Sequence, residues 1–283
     1  MMTLKHDVPA RGPLILGAGG RIGRAFRVLA EGGHWPVAER PLWHGRRGAD
    51  YSWDMLAEPP PRDDRLSDVS GMIVLAGGRS GGDIAPQEAA ALARAALDLA
   101  LREGIGPVLL CSSQAVYGPT AGPHSEVGPT AAHTAYGEAK LAMENAAGVD
   151  ACCLRIGNVA GCDMLLMNAA KGRVTLDRFP DGQSPRRCYI GPVSLARIMI
   201  GLLDGGRSLP AALNLAAPGT VSMSDLLEAA SLDFDWRPAP AGALPDLRLD
   251  LSRLAGLVPL DPDWGQAETL IAEARLAGWA PAS

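Results

Sequence analysis

The chain has 283 residues and a formal net charge of −5, with 47% hydrophobic and 20% charged residues. That supplies the core of one large domain, or of a principal domain with a smaller partner. There is no basic excess to neutralise phosphates, which excludes an electrostatic nucleic-acid binder, and no apolar run approaches the roughly 18 residues of a membrane span. The polar start, residues 1–13, shows no secretory h-region. Five cysteines (Cys111, Cys152, Cys153, Cys162, Cys188) show neither zinc spacing nor a disulfide framework. A reduced, cytoplasmic protein without a metal is expected.

In chain order, the apolar run 13–16 reads as a buried strand that ends at Gly17. A helix follows with Ile22, Phe26 and Leu29 on one face, stopped by Gly32-Gly33. A second strand is expected within 36–43, and a clearer one at 71–76. Residues 86–102 form a long Ala/Leu-rich helix with Pro86 in its first turn. The strand 107–111 delivers Ser112 and Ser113 at its end. A helix carrying Tyr136 runs to about Ala147, and the strand 151–156 follows. Beyond Gly157 the pattern loosens: a helix at 193–203, a short strand at 212–216, and a helix from Ser222 as N-cap. Residues 237–245 read as a connection, and 266–277 as a final helix. Alternating strands and helices indicate an α/β fold, a doubly wound parallel sheet with ligands at the strands' C-terminal ends. The expected division is a Rossmann cofactor domain over 1–157 and a smaller substrate-binding portion over 158–283, intertwined with the sheet.

Gly17, Gly20 and Gly23 occupy the turn between the first strand and the first helix. There a tight turn, a close approach of backbone amides to phosphate and close helix packing each require a glycine. Arg21 and Ile22 lie inside this loop. Counting forward from Gly32-Gly33 puts Arg40 at the end of the second strand, with Arg46 and Arg47 slightly further on. An arginine there accommodates a ribose 2′-phosphate, so NADP is the expected cofactor; a slip of one residue would place Glu39 there and select NAD.

Tyr136 and Lys140 are four apart and share a helix face. An ammonium near a phenol favours the ionised phenol, which at a pKa of about 10 needs help to exchange protons near neutrality. Singly, the residues have plainer readings: a turn serine, a half-buried helix tyrosine, a solvated lysine. Their order gives them weight: glycine loop, then Ser112-Ser113 at a strand end, then Tyr136 and Lys140.

The runs Ser112-Ser113-Gln114-Ala115-Val116-Tyr117-Gly118 and Tyr136-Gly137-Glu138-Ala139-Lys140 resemble the extended short-chain dehydrogenase/reductases, within them the NAD-dependent epimerase/dehydratase group. The resemblance continues through residues 154–161, 181–190 and 213–216. It implies Tyr136 as general acid/base and Lys140 as the residue that lowers its pKa and holds the nicotinamide ribose. It implies Ser113 on the reacting oxygen and Ser112 nearer the cofactor. Asp54 and Met55 would lie at the adenine, and Ala76 and Gly77 would pass beside the cofactor. Asn158 and Arg187 match substrate-side positions, the latter facing a diphosphate in such relatives. Two positions that are often acidic read Cys188 and Ser194 here.

The expected activity is hydride movement between nicotinamide and a hydroxyl or carbonyl carbon of a small, sugar-like substrate. The rival within enzymes is a nucleotide-sugar epimerase or dehydratase; the rival of another class is a non-catalytic NADP-binding regulator. Members of the group often pair through long helices, so the helices at Pro86 and Tyr136 offer a seam for a homodimer.

Overall fold

The structure is a computed structural model that describes residues 12–78, 84–204 and 208–281. The polar stretch 1–11 lies outside the described residues. Among the described residues, no helix is long and apolar enough to cross a membrane.

The elements run β1 (Leu14–Leu16), α1 (Arg21–Glu31), β2 (Leu42–Gly45), β3 (Tyr51–Ser52), β4 (Met72–Val74), α2 (Pro86–Glu103), β5 (Val108–Ser113), α3 (Ala135–Ala147) and β6 (Cys152–Ile156). After these come β7 (Asn158–Val159), α4 (Met164–Ala169), β8 (Val174–Arg178), β9 (Arg186–Arg187), β10 (Tyr189–Ile190), α5 (Pro192–Leu203) and β11 (Ala212–Leu215). The chain closes with β12 (Val221–Ser222), α6 (Met223–Ala229), β13 (Phe234–Pro238), β14 (Asp246–Leu247), α7 (Ser252–Ala255) and α8 (Ala267–Leu276).

Seven strands form one sheet in the order β11-β6-β5-β4-β1-β2-β3, with every neighbouring pair parallel. Such a sheet is buried on both faces, so its strands read as continuous apolar runs. Alternate side chains divide between two cores. Leu14 and Leu16 pack with Ala93, Leu99 and Met143 of α2 and α3, while Ile15 packs with Phe26, Leu195 and Met199 of α1 and α5. A third core, built on Leu166, Leu176, Tyr189, Leu226 and Leu270, holds the smaller lobe. The order reverses between β1 and β4, and the crevice outside their C-terminal ends is the place where such sheets bind ligands.

The second strand departs from the sequence expectation. It starts at Leu42, because Leu42 and Trp43 are the residues that bury against β1, whereas residues 38–40 are exposed. The expected connection at 237–245 begins inside β13, which pairs in parallel with β8 along a largely exposed ribbon. The helix expected from Ser222 is found there, with the Ser222 hydroxyl accepting from the Asp225 N–H.

Close packing at the first turn depends on two glycines. Gly17 has φ +83°, and a Cβ on it would lie 2.6 Å from the Ala76 nitrogen; one on Gly23 would lie 2.5 Å from Ala18 Cα. Backbone fills both spaces, so neither can yield cheaply. Gly23→Ala is expected to lower the unfolding free energy by about 1–3 kcal/mol through overpacking, read from urea denaturation midpoints. A stability equal to the wild type would show that α1 shifts without cost.

Candidate active site

The C-terminal ends of β1, β4, β5 and β6 open onto a cleft of about 660 Å³, within the range of small-molecule and cofactor sites. Gly20, Arg21, Ile22 and Gly23 line one wall. Ser112, Ser113, Tyr136 and Lys140 form the floor, and Asn158, Asp163, Tyr189 and Leu247 face them from the smaller lobe. Gly20 is the N-cap of α1 and supplies no side-chain cap, so the first N–H groups of that helix are left for a ligand. An anion at this end also meets the positive pole of the helix. The residues therefore fit the diphosphate of a dinucleotide.

A residue that the sequence reading passed over supports this loop. His44, buried at the end of β2, accepts the Gly17 N–H at Nδ1 (3.0 Å) and pairs through Nε2 with the Trp53 carbonyl (2.9 Å). Burial lowers its pKa, so the neutral ring is favoured and Nε2 carries the proton. Asp54, just past β3, is partly buried and near enough to attract a proton to His44. Met55 turns into the core with Tyr51, Trp53 and Leu66, so its side chain does not face the cleft.

Arg40 is a correction. The β1–β2 register pairs Leu14 with Leu42, which places Arg40 before β2, at the edge of the sheet opposite the cleft. Glu39 is removed with it. The residues that follow β2 at the ligand edge are the exposed Arg46 and Arg47.

On the floor, Thr134 caps α3 by accepting the Gly137 N–H (3.1 Å). Gly137 lets the helix start lie against the turn after Ser113: a Cβ there would be 2.7 Å from the Ala115 carbonyl oxygen. Tyr136 thereby lies near Ser113, whose hydroxyl favours the ionised phenol. Lys140 is buried and donates to the Cys111 carbonyl (2.7 Å), with Nζ 5.8 Å from the centre of the Tyr136 ring. Gly77 lies beside Met143 and Lys140, and Ala76 donates to the Leu16 carbonyl.

The electrostatics differ from the simple pairing expected of Tyr136 and Lys140. Desolvation raises the Tyr136 pKa, and the Ser113 hydroxyl and the Arg21 charge oppose it. Burial pushes Lys140 itself down to about 8, against an attraction from Glu144. Ser112 also departs from expectation. Its hydroxyl donates to the buried Glu144 carboxylate (2.5 Å), so it does not point at a ligand.

Across the cleft, Asn158 of β7 stands opposite Tyr189 of β10 in their parallel pairing. Asp163 caps α4 and accepts from the Tyr189 hydroxyl (3.2 Å), and burial raises its carboxyl to about 6. Arg21 reaches over to the Cys162 carbonyl (3.4 Å). Arg187 lies outside the cleft lining, donating to the carbonyls of Arg186 (2.7 Å) and Leu244 (3.0 Å); of these, Leu244 borders the cleft.

Residues 75–175 match the model of the NAD dependent epimerase/dehydratase family. The match covers the central segment of the chain. The matched segment contains Ser113, Tyr136, Lys140 and Asn158; the glycine loop precedes it. No curated protein sequence matches the chain. Similar solved structures include UDP-glucose 4-epimerase from Brucella ovis in complex with NAD, at 21% identity and TM-score 0.71, covering 96% of this chain and 99% of that one. The UDP-Glc/GlcNAc 4-epimerase from Campylobacter jejuni has 18% identity and TM-score 0.69, covering 95% and 100%. The NAD dependent NDP-hexosamine 5,6-dehydratase TunA has 18% identity and TM-score 0.64, covering 94% and 97%. The likeness shows a shared fold.

The His44 contact makes the glycine loop sensitive to pH. Its folded pKa lies below the ordinary 6.5, so its stabilisation is present above that value and is lost as the unfolded chain takes up the proton below it. His44→Ala orphans the Gly17 N–H and is expected to cost about 1–3 kcal/mol at roughly pH 8, with a smaller deficit at roughly pH 5. Denaturation of both proteins at the two pH values checks this. A deficit that does not change with pH would show that His44 contributes by packing alone.

Proposed function

We propose that this chain is an NAD(P)-dependent oxidoreductase or epimerase of the extended short-chain type, acting at a hydroxyl or carbonyl carbon of a sugar-like substrate. The observation that carries this reading is the meeting of Ser113, Tyr136 and buried Lys140 in the same cleft as the uncapped start of α1. Residues 1–157 would hold the cofactor, and 158–283 would shape the substrate side.

A bound nicotinamide supplies or accepts the hydride. Tyr136 gives a proton to the substrate oxygen or takes one from it, and Ser113 hydrogen-bonds that oxygen and keeps it against the phenol. Lys140 contributes a positive charge that makes the deprotonated phenol less costly. All three functional groups are intact, which disfavours a non-catalytic regulator. Arg187 stands outside the cleft lining with its guanidinium held by two carbonyls, so an anionic group of the substrate is not assigned to it. The named activities of the structural relatives support a nucleotide-sugar as that substrate.

Removing the phenolic oxygen separates chemistry from binding. Tyr136→Phe is expected to lower kcat by about 10²–10⁴-fold and to leave cofactor affinity nearly unchanged, with UDP-glucose and UDP-galactose as trial substrates. Turnover at the wild-type rate would remove Tyr136 from the mechanism.

For the cofactor, the basic turn after β2 supports NADP over NAD. Arg46 and Arg47 stand there exposed, whereas the nearby Asp50 carboxylate already accepts from the Trp43 N–H (3.2 Å). Arg46→Ala/Arg47→Ala should weaken NADPH binding by about 10–100-fold, the value of one or two charge-assisted contacts, with little effect on NADH. Equal losses for both dinucleotides, read by fluorescence titration, would count against 2′-phosphate recognition at this turn.

A further inference from the structure

Beneath the cleft floor lies a buried network whose members the mechanism above does not use. Glu144 sits one turn beyond Lys140 on α3, on the same face. Arg155, on β6, donates to its carboxylate through Nε (3.1 Å to each oxygen) and Nη2 (2.8 Å). Glu144 also receives the Ser112 hydroxyl, and in the β5–β6 register Ser112 stands opposite Arg155. From Arg155 the network continues to the Tyr117 hydroxyl (3.0 Å), and Tyr117 donates to Asn214 on β11 (2.7 Å).

Three charges are therefore buried within one helical turn and one strand: Lys140, Glu144 and Arg155 are 3%, 9% and 7% exposed. A buried ion pair adds little stability compared with apolar residues of similar size, and breaking it is costly. The pair lies immediately under two residues of the proposed chemistry. Ser112 precedes Ser113 on β5, and Lys140 precedes Glu144 on α3.

We propose that Glu144, clamped by Arg155, is a positioning residue for the cleft floor: it fixes the Ser112–Ser113 end of β5 and holds the positive charge on Lys140. The groups facing Lys140 leave this task to Glu144. Cys111 on β5 and Cys153 on β6 are thiols that burial pushes to about 12, so they stay neutral. Tyr136 on α3 is also kept protonated by burial. Gly77 and Met143 carry no charge. The inference rests on the catalytic reading of Lys140 for its purpose, whereas its test does not.

The chain contains three lysines, Lys5, Lys140 and Lys171, so isotope-labelled lysine gives Lys140 as one of three signals. Its titration can then be followed by NMR without cofactor or substrate. Removing the negative charge disfavours the ammonium form, so Glu144→Gln is expected to raise the Lys140 acid dissociation constant about tenfold, which is one pKa unit. Glu144→Asp, which keeps the charge, should return most of the shift. Because Glu144→Gln leaves Arg155 buried without its partner, the titration is repeated on Glu144→Gln/Arg155→Met, where the pair is replaced as a whole. That variant also loses the Arg155 cation, a loss that favours the ammonium, so a smaller increase in the same direction is expected there and supports the proposal. A Lys140 constant within about twofold of the wild type in the folded Glu144→Gln variant overturns it. Absence of turnover by the wild-type protein would count against the proposed activity and would leave this titration unaffected.

Discussion

The parallel pairing of the seven-stranded sheet is the constraint on which the site depends. Since β1, β4, β5 and β6 all run the same way, their C-terminal ends emerge along one edge. Gly17, Ala76, Ser113 and Gly157 come from distant parts of the chain and meet there for that reason alone. An antiparallel partner would send every second strand end to the far side. Burial of both faces maintains the arrangement. A one-residue slip in β1 would exchange Ile15 with Leu14 and Leu16 between two separately packed cores.

On that edge, local contacts decide which groups face a ligand. The packing of Gly137 on Ala115 sets Tyr136 against Ser113, while the Cys111 carbonyl draws the Lys140 ammonium down toward the sheet. Desolvation therefore acts on both titrating groups in opposite senses. It holds the proton on the phenol and loosens it from the ammonium. Each shift favours a neutral side chain, as burial of an ionisable group does. Conversion of Tyr136 to its anion consequently requires additional positive charge, and the geometry of the cleft allows Arg21 to provide part of it from the opposite wall.

How much of this could be read from the sequence follows the range of the interactions. The glycine turn, the strand ending at Ser113 and the helical Tyr136–Lys140 spacing depend on neighbours within a few residues, and they stood out. The second strand did not, because Pro36 and Pro41 blur its pattern and its start is set by contact with β1. That error carried Arg40 to the wrong edge of the sheet. His44 and Glu144 gave no signal, since a lone histidine in an apolar run and a glutamate in a helix are ordinary; only pairing with residues 27 and 11 positions away gives them roles. Ser112 was legible as a strand-end residue, but the direction of its hydroxyl was not.

The smaller lobe gives another example of a local pattern resolved by a distant residue. Ser194, in the first turn of α5, stands where a carboxylate is often found, and the carboxylate there is supplied by Glu273 of α8. It accepts the Ser194 N–H (2.9 Å) and hydroxyl (2.5 Å). An acid at the start of a helix satisfies free N–H groups and opposes the positive end of the dipole. Gly191, the N-cap, leaves space for it; a Cβ there would overlap the Glu273 carboxylate. Because α5 packs on the main sheet and α8 belongs to the core of the smaller lobe, this capping contact joins the two halves that border the cleft. The start of one helix therefore depends on the docking of the other, which couples the smaller lobe's face of the cleft to the sheet that carries Ser113.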